Sequence, residues 1–80
     1  MVPMKITHKI ELEVSGLGAK IREARKKSKK PLTLLCYEAG ITSSYWYTIE
    51  AETATSGVSL DTIRAIEKAL GEDFGIQISL

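Results

Sequence analysis

Apolar and polar residues alternate near the start of the chain. Over residues 4–14 the even positions are apolar, with His8 as the exception, while the odd positions carry lysine, threonine or glutamate. Alternation with a period of two is typical of a β-strand that buries one face. We therefore predict a long N-terminal strand here, with Ile6, Ile10 and Leu12 on its apolar face.

The same alternation returns at the other end of the chain. Residues 73–80 place Phe74, Ile76 and Ile78 on one face, which predicts a C-terminal strand. A lone strand is not stable in water, so we expect the two strands to pair in an antiparallel ribbon. The ribbon keeps open edges, which small proteins commonly close with a partner. Either the ribbons of two copies join into a two-fold homodimer, or each ribbon folds onto its own helices.

Between the two strands the apolar residues recur every three or four positions, which is the period of amphipathic helices. Pro31 stops the first helix, and Gly40 and Gly71 can adopt the left-handed conformation that ends the second and fourth. Thr42 and Ser59 are placed to cap the third and fourth helices through their hydroxyl groups. We predict helices over residues 17–29, 32–39, 43–51 and 60–70, within a single domain spanning residues 1–80.

The second and third predicted helices have the spacing of a helix-turn-helix. Cys36 is small enough for the two helices to approach closely, and Gly40 forms the turn between them. Trp46 and Ile49 fall three positions apart on the inward face of the third helix. The positions left pointing outward are Ser43, Ser44, Tyr47 and Thr48. On such a scaffold this outward face is the one presented to the major groove of DNA.

The net charge of +1 hides a strong segregation of charge. Residues 20–30 carry seven basic side chains and one acidic side chain, a net charge of +6, whereas the rest of the chain carries −5. A concentrated basic surface on a near-neutral domain attracts anions locally. A solvated helix face is the simplest interpretation of such a run, but beside a helix-turn-helix it indicates contact with nucleic-acid phosphates.

The composition argues against several other classes of protein. One cysteine and one histidine are too few for a disulfide framework or a structural zinc site, so we expect no metal and no other cofactor. Cys36 lacks a neighbouring base, and there is no glycine-rich phosphate loop, so we expect no enzymatic activity. No segment could cross a membrane, and the start of the chain lacks the apolar run of a signal peptide, which favours a cytoplasmic protein.

Residues 17–71 resemble the lambda-repressor/Cro-like, or xenobiotic-response-element (XRE), family of helix-turn-helix proteins. The resemblance rests on the order and spacing of LGAKIREAR at 17–25, AGIT at 39–42, YWYTIE at 45–50, SLDT at 59–62 and ALG at 69–71. It implies a mostly α domain with a four-helix core, here flanked by a small β ribbon. It also implies a dimeric transcriptional regulator of bacterial or phage origin that binds double-stranded DNA through its third helix.

The resemblance implies roles for single residues as well. Arg25 and Glu50 match a pair that usually forms a partly buried salt bridge, which orients the guanidinium toward a phosphate. Thr42 falls where a capping hydroxyl also touches the DNA backbone. Base contacts fall to Ser43, Ser44, Tyr47 and Thr48, and the basic run adds Lys26, Lys27, Lys29 and Lys30 as expected phosphate contacts.

Two departures from the family keep a second function open. The third helix contains no Arg, Lys, Asn or Gln, which are the side chains that make strong bidentate contacts to bases. The segment after Glu50 is acidic at Glu52, where relatives carry basic residues. The alternative is a protein-interaction module, or an antitoxin-like protein, that keeps the fold with weak or no DNA binding and takes a protein partner such as a toxin.

Overall fold

The computed structural model describes residues 4–7, 12–14, 16–53 and 57–76, and these form a mostly helical fold with four helices. No helix in these ranges is long and apolar enough to cross a membrane. The elements in chain order are β1 (Met4–Thr7), β2 (Leu12–Val14), α1 (Leu17–Lys27), α2 (Leu32–Ala39), α3 (Ser43–Ala51), β3 (Val58–Ser59) and α4 (Leu60–Leu70).

The predicted bounds of α2, α3 and α4 are confirmed, because local signals set them. Gly40 and Gly71 have φ angles of 73° and 68° and end α2 and α4 in the left-handed conformation. The hydroxyl of Thr42 accepts a hydrogen bond from the Tyr45 amide at 3.1 Å, which caps α3. The hydroxyl of Ser59 accepts one from the Thr62 amide at 3.2 Å and caps α4 in the same way.

Helix α1 ends two residues earlier than predicted. Ser28 is already extended, with ψ at 141°, and its hydroxyl accepts a hydrogen bond from the Lys30 amide at 3.1 Å. Serine side chains compete with helical hydrogen bonding in this way, so the helix stops before the approach to Pro31. The basic segment is therefore part helix, up to Lys27, and part loop, with a bend at residues 29–30.

The predicted single strand over residues 4–14 is wrong, because the chain reverses within it. β1 pairs antiparallel with β2, with Met4 opposite Val14 and Ile6 opposite Leu12. On its other edge β1 pairs in parallel with β3, which gives the sheet order β2-β1-β3. Both edges of β1 are therefore occupied within the chain, and neither is available to a C-terminal strand.

The predicted C-terminal strand is not seen in the part of it that the structure describes, residues 73–76. Two side chains of α4 hold the backbone here instead. The buried carboxylate of Glu67 accepts a hydrogen bond from the Phe74 amide at 2.8 Å, and Arg64 donates one to the Ile76 carbonyl at 2.7 Å. These bonds use backbone groups that a β-ladder would need. Ile78 lies outside the described residues.

The core is built from all four helices and the sheet. Trp46 and Ile49 of α3 are fully buried, as the helical spacing predicted. Ile6 and Ile76 were predicted to lie on strands that either join a second copy or fold onto their own helices. Both are buried within their own chain, and Phe74 packs against the same core. They therefore form no exposed dimer surface, because the chain's own helices cover them. Of the other predicted dimer positions, Leu12 lies in β2, whereas Ile10 is outside the described residues.

Candidate nucleic-acid interface

One face of α3 is left uncovered by the other residues that the structure describes. Ser44 and Tyr47 are exposed, and Tyr47 as a whole residue keeps 52% of its surface open to solvent. Ser43 and Thr48 are half-buried, and the Thr48 hydroxyl donates a hydrogen bond to the Ser44 carbonyl at 2.9 Å. Of the four positions predicted to face outward, Ser44 and Tyr47 are thus the ones most accessible to a ligand.

Glu50 organises the buried side of this face. Its carboxylate accepts hydrogen bonds from Nε of Arg25 at 2.5 Å, from Nη2 of Arg25 at 3.0 Å and from Nε1 of Trp46 at 2.6 Å. The Glu50 side chain is 6% exposed and the Arg25 side chain 23% exposed. The bidentate pair predicted from the sequence is therefore present, and it ties α1 to α3.

Arg25 lies against the exposed tyrosine of α3. Its guanidinium carbon is 5.8 Å from the centre of the Tyr47 ring, within the range of a cation–π contact. Hydrogen bonding to Glu50 raises the pKa of Arg25 above its ordinary value, against the opposing effect of partial burial. The guanidinium is therefore a permanent positive charge, fixed in position beside the α3 face.

A concavity of about 320 Å³ lies between α1 and α3. Its lining consists of Arg22, Arg25, Tyr47, Glu50 and Ala51. Arg22 belongs to the basic segment but was not predicted as a site residue. The signal that could have found it is helical spacing, because Arg22 precedes Arg25 by three positions and so shares its side of α1. The concavity joins two arginines to the exposed face of α3.

The predicted phosphate contacts do not all lie on this side. Lys27 follows Arg22 by five positions, about 140° around the helix axis. It lines a different concavity, of about 450 Å³, between α1 and residues 72–74. Lys26 is about 40° from Arg22 and about 100° from Arg25 around the helix axis and lines neither of these two concavities, and both Lys26 and Lys29 are exposed. The prediction that groups Lys27 with the phosphate contacts is therefore not supported by its position.

Lys30 is engaged elsewhere. Its ammonium group donates hydrogen bonds to Oε1 of Glu38 at 2.8 Å and to the carbonyl oxygen of Ala69 at 3.0 Å. The latter bond places the positive charge on a carbonyl at the C-terminal end of α4, where the helix dipole favours it. Lys30 thus joins α2 to α4 within the chain, and its predicted phosphate contact stays a prediction.

The acidic segment after α3 has a structural role. Glu52 ends α3 in the left-handed conformation, with φ at 57°, and its carboxylate accepts a hydrogen bond from the Gly18 amide at 3.1 Å. A carboxylate at a helix N-terminus interacts favourably with the helix dipole. Glu52 therefore caps α1 from the end of α3, which accounts for the acid found where the family resemblance implies basic residues.

The remaining residues considered for chemistry contribute no further site in the described ranges. Thr42 is exposed and caps α3, so its hydroxyl lies beside the start of the helix. Cys36 is buried in the core, and His8 lies outside the described residues. Among the residues that the structure describes, no three His, Cys, Asp or Glu side chains converge to hold a metal ion.

No protein-family model, curated protein or solved structure matches this chain.

Proposed function

We propose that this chain is a cytoplasmic DNA-binding transcriptional regulator that places α3 in the major groove of double-stranded DNA. The exposed side chains of α3 face the bases, and Arg22, Arg25 and Lys26 of α1 contact phosphates on the flanking backbone. Protein contacts to phosphate position the helix, whereas contacts to base edges select the sequence. The proposed activity is binding without catalysis.

The observation that carries the proposal is the combination of an uncovered helix face with a fixed arginine beside it. The α3 surface at Ser44 and Tyr47 is open, and Arg25 is held next to it by the buried Glu50. A guanidinium oriented by a carboxylate on one edge still presents N–H groups on its other edge. This arrangement suits a phosphate at the rim of a groove.

We further propose that two copies bind together. In helix-turn-helix dimers, half-sites about 34 Å apart let two recognition helices enter successive major grooves. In the described part of the sheet β2 has one neighbour, β1, so its outer edge could pair with β2 of a second copy. This replaces the pairing of N- and C-terminal strands as the route to a dimer.

Titration of fluorescently labelled duplexes with the protein, at low and at physiological salt, tests DNA binding. We expect Ser44→Glu to weaken binding at least roughly tenfold, because it places a negative charge against the DNA. Ala19→Glu is the matched control. Both residues are exposed and lie near the start of a helix, but Ala19 lines the concavity between α1 and residues 72–74 and is not among the residues that line the concavity shared with α3. Equal affinities of the two variants would contradict the proposed face.

Selection of bound fragments from a pool of random duplexes tests whether two copies bind DNA together. We expect a site with two-fold symmetry and half-sites one helical turn apart. An asymmetric site bound by one copy would contradict the dimer while leaving the α3 interface intact.

One observation favours a second candidate, a protein-interaction module. Leu34 and Tyr37 lie three positions apart on α2 and are 40% and 84% exposed. Adjacent exposed apolar side chains are typical of surfaces that bind another protein. Failure of the wild-type protein to bind any duplex at low salt would favour this candidate over DNA binding.

A further inference from the structure

The exposed side chains of α3 have an unusual composition for a surface that reads bases. Ser44, Tyr47 and Ala51 are all exposed and follow one another at helical spacing. Together they offer two hydroxyl groups, one aromatic ring and one methyl group. The bidentate donors and acceptors that distinguish guanine and adenine are absent from residues 43–51. Any discrimination by this face must therefore come mainly from apolar contact.

Tyr47 is the largest of these groups, and its ring is held in place. Arg25 lies over the ring at 5.8 Å and is itself fixed by two hydrogen bonds to Glu50. A side chain that is already ordered loses little conformational entropy when it binds. The ring therefore presents a fixed apolar surface of the kind that can pack against a small apolar group.

The major groove offers one small apolar group, the methyl at C5 of thymine, and 5-methylcytosine carries the same group. We propose that the Tyr47 ring reads 5-methyl groups of pyrimidines, so that methylation of the base is the main source of selectivity. This inference rests on the proposed DNA binding and specifies its ligand. The same contact predicts that methylation of cytosine at C5 raises the affinity of the protein for a G·C duplex.

Two pairs of alternating duplexes isolate the methyl group. One pair is poly(dA-dT) and poly(dA-dU), and the other is poly(dG-dm5C) and poly(dG-dC). Within each pair the bases differ only at C5. We expect the wild-type protein to bind the methylated member more tightly, by about two- to fourfold for each methyl contacted. Equal affinities within both pairs would overturn the inference while leaving the proposed function standing.

Variants of Tyr47 assign the effect to the ring. Tyr47→Phe should keep the preference for the methylated duplexes, and Tyr47→Ser should bring the ratio of affinities within each pair to about one. Tyr37→Ser is the matched control, because Tyr37 is also an exposed tyrosine but lies on α2; it should leave the preference unchanged. A preference that persists in Tyr47→Ser would overturn the role of Tyr47, and absence of binding to all four duplexes would overturn the proposed function itself.

Discussion

Glu50 is the residue on which the geometry of the proposed interface depends. It accepts three hydrogen bonds from two side chains, and it is nearly fully buried. A buried acceptor that serves several donors is costly to remove, since each donor must then find water or remain unpaired. Ordinary changes of pH do not remove the positive charge of Arg25. Because the pKa of Arg25 is raised in the fold, its contribution to stability is complete at neutral pH and is lost only at strongly alkaline pH.

We expect Glu50→Gln to lower the free energy of unfolding by about 2–3 kcal/mol, because an amide offers fewer acceptors and turns a donor toward Arg25. Urea unfolding followed by the fluorescence of the single tryptophan, Trp46, measures this. Glu38→Gln is the control, since Glu38 makes an exposed ion pair with Lys30 and should lose less than about 1 kcal/mol. Similar small losses in both variants would contradict the central role of Glu50.

At the scale of elements, the close approach of α1 and α3 depends on a glycine. A methyl group added at Gly18 would overlap with the backbone carbonyl oxygen of Glu50 and would also crowd the side chain of Glu52. The absence of a side chain lets the start of α1 lie directly on the end of α3, where Glu52 caps it. The concavity that carries Arg22 and Arg25 is a consequence of this packing.

Gly18→Ala should therefore destabilise the protein by about 2 kcal/mol, as expected for overpacking between helices. The sign of this change in stability is informative, because in the interior of a helix alanine is otherwise more stable than glycine by about 1 kcal/mol. Thermal unfolding compares it with Gly40→Ala, where, among the described residues and apart from its chain neighbours, no atom lies within 4 Å of the added methyl group. There only the strain of a positive φ remains, a cost of about 1–2 kcal/mol. A Gly18→Ala protein as stable as the wild type would show that the helices can separate freely.

The sequence predicts some elements better than others for a physical reason. Caps act within three or four residues, so Gly40 and Gly71 mark the ends of α2 and α4, and Thr42 and Ser59 mark the starts of α3 and α4. A hairpin preserves the alternation of a single strand, so the pattern over residues 4–14 could not reveal that β1 and β2 pair with each other. The contact of Glu52 with Gly18 joins residues far apart in sequence, and no local pattern predicts it.

At the scale of the whole molecule, the basic segment does not form one surface. The sequence predicts the number of charges and the exposed face of α3, but which lysines lie beside α3 depends on how α1 is rotated against the core. Arg22 and Arg25 line the concavity shared with α3, whereas Lys20 and Lys27 line the concavity on the other side. The number of phosphate contacts beside α3 is thus smaller than the number of basic residues in the segment.

The salt dependence of DNA binding distinguishes the two sides of α1. Each phosphate neutralised contributes about −0.9 to the slope of the logarithm of the binding constant against the logarithm of the salt concentration. Arg22→Gln should therefore make the slope shallower by about 0.9 for each bound copy, whereas Lys27→Gln should leave it nearly unchanged. The two variants remove the same charge from the same helix, so a general loss of positive potential would affect both equally. Titrations at four or more salt concentrations give the slopes. Equal slopes for the two variants would mean that DNA does not lie along the Arg22 side, and a shallower slope for Lys27→Gln alone would place it against the opposite face of α1.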